Sequence, residues 1–178
     1  MILAWVLLGA LALQRLAELA VARRHAQRLF AAGAVLVRDD AYGRIVAVHA
    51  AFFGGFAAEA LLAPWSGTGW WTVPALLVFA AGQGLRLWTM RTLGDRWTTR
   101  VVVLPGRARI EHGPFRLLRH PNYVGVGLEL AALPLAFGLP LTAVAASLLN
   151  VLALGARIRC EEAALERAAP AGAEPSSA

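Results

Sequence analysis

Two short runs carry the residue types that do chemistry. Arg119-His120-Pro121-Asn122-Tyr123 places a cation, an imidazole, an amide and a phenol within five positions, and Glu161-Glu162, preceded by Arg157, adds two carboxylates and a guanidinium. Pro121 suits the first turn of a helix, where its missing N–H costs nothing, so Asn122, Tyr123 and Val124 are expected to present free backbone donors. Those donors, the positive end of the helix dipole, Arg119 and His120 together make an anion site. Arg157 and Glu161 are one helical turn apart and share a face. Glu162 points about 100° away, so the two carboxylates have different tasks: one meets a ligand's amine, hydroxyls or positive charge, and the other holds Arg159 or a loop. A ligand with an anionic and a cationic end, such as an amino-acid-like head group, would satisfy such a site.

The surrounding chain is a membrane protein's. Of 178 residues 58% are hydrophobic and only 16% charged, with a mean hydropathy of +0.59, too apolar for an ordinary soluble domain. All 17 basic residues are Arg, giving a net charge of +6. They lie between apolar blocks, which fits loops on one side of a membrane and not a nucleic-acid surface. The single cysteine, Cys160, excludes an internal disulfide and a multi-cysteine zinc site, and His25, His49 and His112 lack metal-ligand spacing. No metal is expected.

Apolar stretches define the elements. The first runs from Ile2 to about Ala22, with no basic residue before it, and reads as a retained span and not a secretory signal. Arg15 and Glu18, near its end, are expected to form an ion pair at the interface. A basic connection with Arg23, Arg24, Arg28, Arg38 and Arg44 follows. A second span covers about Ile45 to Ala63, and an uncharged connection, Pro64 to Thr72, carries Trp65, Trp70 and Trp71 at the headgroup level. The third span runs from about Val73 to Leu93, and an Arg-rich segment, Gly94 to Arg119, follows it. Tyr123 to Ala136 and Leu141 to Ala156 then form a hairpin around Phe137-Gly138-Leu139-Pro140. Its first arm reaches only about 20 Å against a hydrocarbon core of about 30 Å, so the hairpin either crosses or inserts partly.

Basic residues follow spans one, three and five and are absent after two and four. The positive-inside rule therefore puts the N-terminus outside and the long loops and C-terminus in the cytoplasm. The expected fold is all-α, an integral membrane protein with about five transmembrane helices. Residues 1–169 form one domain and 170–178 a flexible tail. The hairpin brings the two reactive runs to the same, cytoplasmic end.

At these runs the chain resembles the isoprenylcysteine carboxyl methyltransferase family, membrane enzymes marked by an Arg-His-Pro-x-Tyr run and a later Glu-Glu pair. The resemblance covers roughly Arg96 to Leu165. It implies S-adenosyl-L-methionine as methyl donor and a lipophilic acceptor entering from the bilayer. Carried over by position, His120, Pro121, Asn122 and Tyr123 line the cofactor pocket, flanked by Arg119, Arg100, Phe115 and the segment holding Arg109 and Ile110. Glu161 and Glu162 complete it, and Arg157 meets the acceptor. Phe115 stands where the family often has Tyr, and Arg107 to Ile110 departs from the usual loop residues. For a hydroxyl acceptor, His120 or Glu129 would take the proton; a carboxylate acceptor needs no base and could be oriented by Arg157. Gln14-Arg15-x-x-Glu18 with Arg23-Arg24 looks like the short bacterial members, some of which methylate hydroxyls of phenolic or pyrone lipids. Arg-His-Pro-Asn-Tyr alone also resembles NADPH-dependent membrane sterol reductases, the alternative reading; Arg157 with Glu161-Glu162 weighs against it.

Other polar residues have two readings. Glu129, about two turns into span four, is either an acceptor-site residue or a structural hydrogen-bonder. Gln83 and Arg86 either reach the cofactor loop or, for Arg86, snorkel to the interface. Asn150 and Ser147 read as helix–helix contacts, and Cys160 as a small interface residue.

Overall fold

The structure, a computed structural model, describes residues 2–62 and 68–168. Five α-helices dominate it: α1 (Ile2–Ala31), α2 (Tyr42–Leu62), α3 (Thr72–Leu93), α4 (Pro121–Ala136) and α5 (Pro140–Ala168). Four of them, all but α4, are long and apolar enough to cross a bilayer. Their large apolar side chains point outward: Leu13, Leu61, Leu77, Leu148 and Leu152 are exposed, whereas Glu18, Arg86, Glu129, Asn150 and Arg157 are buried. Exposed leucines around buried charges suit a lipid solvent, and the protein is an all-α integral membrane protein.

Helix bounds differ from expectation at the C-terminal ends of α5, which runs past the expected Ala156 to Ala168, and of α1. The latter does not stop near Ala22 but continues to Ala31, so Arg23, Arg24 and Arg28 lie on it and not in a connection. Nothing between Ala22 and Ala31 breaks a helix. Termination waits for Gly33, whose φ of 89° closes a cap with Gly33 N–H to Phe30 O and Ala34 N–H to Leu29 O, at 3.0 and 2.9 Å. At 30 residues α1 spans about 45 Å, more than a bilayer core needs. Its Gln14–Glu18 stretch is consequently mid-helix. α4, with 16 residues, is about 24 Å long and falls short of a full crossing, as the hairpin's first arm was expected to. Trp65 and the tail 170–178 lie outside the described residues.

Packing is close where side chains are small. A Cβ on Gly82 of α3 would sit 2.9 Å from Gly125 O of α4, and one on Gly125 would sit 2.5 Å from Arg86 Cγ, so two glycines let these backbones touch. Phe52 and Phe56 of α2 and Leu130 and Leu133 of α4 fill the core, joined by Leu8 and Leu11 of α1. Away from the reactive runs, Glu59 of α2 accepts the free N–H groups of Leu141 and Thr142 at 3.0 and 2.7 Å, a carboxylate cap on α5.

The loops add one element the apolar pattern does not announce. Val35–Leu36 (β1) pairs antiparallel with Val102–Val103 (β2), Val35 opposite Val103. This ties the α1–α2 loop to the α3–α4 loop beside the end of the hairpin that carries the reactive runs.

Candidate active site

The hairpin does bring the two runs together. Tyr123 on the first turn of α4 donates its hydroxyl proton to Glu161 of α5. Arg157, one turn earlier on α5, donates from Nε to the same hydroxyl oxygen at 3.2 Å. His120, the residue before the helix, stacks its ring on Tyr123 with centroids 5.5 Å apart and planes 19° from parallel. Its Nε2 lies 3.2 Å from Glu162 Oε1, and Arg119 Nε lies 3.4 Å from the same oxygen. The two carboxylates have different partners: Glu161 faces Tyr123, while Glu162 holds His120 and Arg119 and not Arg159. Glu162 sits beyond the apolar arm of α5, and the hydrogen bond from His120, aided by Arg119, keeps its carboxyl below the ordinary carboxylate value.

The helix N-terminus is less open than the sequence implies. Pro121 occupies the first turn, but Tyr123 and Val124 N–H both bond to His120 O, at 3.1 and 3.2 Å. A residue capping a helix already offers its carbonyl to the fourth N–H, so Val124 was never free, and a tightened first turn takes Tyr123 as well. Asn122 has no such backbone bond recorded among the described residues, and its side-chain Oδ1 is buried without a hydrogen-bond partner. Of the groups expected to meet an anion, Arg119 and His120 remain, and both contact Glu162.

The Arg-rich loop folds against this end. Arg109 donates to Arg119 O at 3.3 Å, and both terminal nitrogens of Arg96 donate to Ala108 O at 3.1 Å. Ile110 and Phe115 are half-buried. Arg100 is set apart, its guanidinium 4.6 Å above the Tyr42 ring, on the wall of a cleft of about 360 Å³ shared with Arg38 and Asp39.

Glu129 belongs to a second cluster. It pairs with Arg15 and lies 3.5 Å from Arg86, while Glu18 binds Arg15 at 2.6 Å and Arg86 at 2.5 Å. Gln14 bridges Glu18 and Gln83, 2.9 Å from each. The Arg15–Glu18 pair is thus inside the bundle and not at an interface, and Arg86, 3% exposed, does not snorkel. Two atoms here, Glu129 Oε1 and Arg86 Nε, are buried without a partner. His49 bonds Ile45 O at 2.8 Å and His25 bonds Trp97 O at 2.9 Å, both structural.

Asp39 is the site residue that sequence reasoning missed. It forms an ion pair with Arg157, with side chains 4% and 6% exposed. In the sequence it is one acid among arginines just before a helix, and it carries no motif.

Residues 75–167 match the Isoprenylcysteine carboxyl methyltransferase (ICMT) family. The chain belongs to that family. It is also 35% identical, over 162 residues, to the uncharacterized protein YpbQ of Bacillus subtilis (strain 168), covering 91% of this chain and 96% of that protein. No solved structure matches. The family match spans α3 to α5 and both reactive runs, and membership makes the chain a membrane methyltransferase; it does not favour a reductase.

Proposed function

We propose that the protein is an S-adenosylmethionine-dependent O-methyltransferase acting on a lipophilic acceptor drawn from the bilayer. The observation that carries this reading is the contact of Tyr123 with both Glu161 and Arg157, which makes one site of the two family motifs. The donor set fits the cofactor's amino-acid end. Glu161 and the unpartnered Asn122 Oδ1 suit an ammonium, and Arg119, whose side chain is 65% exposed, suits a carboxylate. When bound, the cofactor supplies an electrophilic methyl on a sulfonium.

The protein's work is then alignment and exclusion of water. Arg157 bears on the acceptor's nature. Its charge is already met by buried Asp39, so it is poorly placed to bind a carboxylate acceptor as its counter-ion. This favours a hydroxyl of a phenolic or pyrone lipid over an isoprenylcysteine-type carboxylate. The bound cofactor would supply the methyl group, and His120, through the ring nitrogen that Glu162 does not hold, would take the proton that the acceptor hydroxyl loses.

Calorimetry on detergent-purified protein tests the donor: Glu161→Ala and His120→Ala should each abolish S-adenosylmethionine binding, and unchanged affinity in both would overturn the reading. Mass spectrometry of lipids from cells with and without the gene tests the acceptor, through the gain of one methyl group. The arginine distribution supports a site on the cytoplasmic side of a bacterial cytoplasmic membrane. A fluorescent-protein fusion at the C-terminus should therefore glow, and an alkaline phosphatase fusion there should be inactive.

A further inference from the structure

We infer that Asp39, in the α1–α2 loop, is a positioning residue of this site: it sets Arg157 and, through Arg157, the direction of the Tyr123 hydroxyl. Three nitrogens of Arg157 are committed. Nη1 pairs with Asp39, Nη2 donates to Thr99 O at 2.8 Å, and Nε donates to Tyr123 Oη at 3.2 Å. A guanidinium has donors only, so the Tyr123 oxygen must accept from it and turn its own proton to Glu161. Asp39, Arg157, Tyr123 and Glu161 thus form one polarised chain, carboxylate to carboxylate, across three segments. Without Asp39, Arg157 would be left with Glu161 as its near counter-charge and be free to turn toward it, taking the place of the Tyr123 proton.

The loop is built to hold Asp39 there. Val37 N–H bonds Val101 O at 2.9 Å, β1 pairs with β2 beside it, and Cys160 Sγ of α5 meets Arg38 O at 3.6 Å. Asp39 also lies outside residues 75–167, the part matched to the family. The N-terminal part of the chain therefore contributes to the site a residue that the matched segment lacks.

One detail makes the inference separable from a packing role. Asp39 Oδ1 accepts from Ala41 N at 2.9 Å, an Asx turn just ahead of α2, and Asn forms that turn as Asp does. Asp39→Asn therefore keeps the turn and removes the charge. The catalytic readout rests on the methyltransferase reading, so a second readout stands apart from it.

The test is a double-mutant cycle with Tyr123→Phe. Asp39→Asn should weaken S-adenosylmethionine binding about tenfold in wild type and hardly at all in the Tyr123→Phe background, since the group it acts through is gone. Asp39→Glu should restore part of the loss. Equal losses in both backgrounds, or no loss in wild type, would overturn the inference. If Asp39→Asn does not fold, Asp39→Glu, which moves the charge by one methylene, carries the same cycle. Wild type that binds no S-adenosylmethionine would sink the function reading instead. The arginine Nε–H resonance of ¹⁵N-labelled protein, assigned by its absence in Arg157→Lys, then decides alone: slow solvent exchange in wild type and fast exchange in Asp39→Asn support the inference, and unchanged exchange refutes it.

Discussion

Two polar clusters occupy the bundle, and they are built differently. The mid-bundle cluster has two arginines and two glutamates, Arg15, Arg86, Glu18 and Glu129, with Gln14 and Gln83 at its edge; all four charged side chains are at most 14% exposed. The loop-end cluster also pairs charges, but it grades from buried Asp39 and Arg157 to Glu162 and Arg119, whose side chains are 27% and 65% exposed. A closed, charge-balanced cluster binds helices. A cluster open at one side, with a phenol and an imidazole between its carboxylates, can also take a ligand. The contrast separates charge buried for packing from charge left partly open to solvent, and the proposed function rests on the second.

Several substitutions would break or sharpen that contrast. The largest effect is expected from Glu161→Ala, which should lower cofactor affinity at least about 100-fold, roughly 3 kcal/mol, in calorimetry. Its effect on melting temperature should be small, because Glu161 is only partly buried. Glu129→Ala should do the reverse. It leaves Arg15 and Arg86 short of a counter-charge and should cost about 3–5 kcal/mol of stability, read as a fall in melting temperature, with cofactor affinity within about twofold of wild type. Loss of cofactor binding there would erase the distinction between the clusters.

Replacing Arg15 and Glu129 together by Met sharpens it further. Taking out both partners of a buried pair is often neutral, so the double variant should regain most of the stability that Glu129→Ala loses. Should it instead fold well and lose methyl transfer with cofactor binding intact, Glu129 would be an acceptor-site residue after all.

The smallest effect concerns Glu162. Its depressed carboxyl means that its contact with His120 stabilises the fold above the ordinary carboxylate value, about pH 4.3, and is lost as pH falls through the lower folded value. At 27% exposure solvent screens the contact, so Glu162→Gln should shift stability by less than about 1 kcal/mol at pH 7. The difference from wild type should narrow further in acid melts.

The two arms of the hairpin and the family signature were legible in the sequence because they rest on local facts: apolar runs, a proline at a first helical turn, and carboxylates at fixed helical spacing. α2, α3, α4 and the start of α5 fall within a few residues of the expected bounds for the same reason. The end of α1 was misplaced because charge was read as a boundary, whereas a helix ends where a residue such as Gly33 permits the cap. Arg15 and Glu18 were paired correctly by their three-residue spacing, but spacing says nothing of depth.

Partners across the fold are another matter. Arg15 with Glu129, Arg86 with Glu18, Arg157 with Asp39 and Glu59 with the start of α5 join residues 68 to 118 positions apart. Sequence determined by itself that this chain lives in a membrane, that its last two helices fold back on each other, and that Arg119 to Tyr123 meets Glu161. Only the tertiary structure decided which charges neutralise which, because a buried charge is satisfied by whatever distant group the packing brings within hydrogen-bond reach.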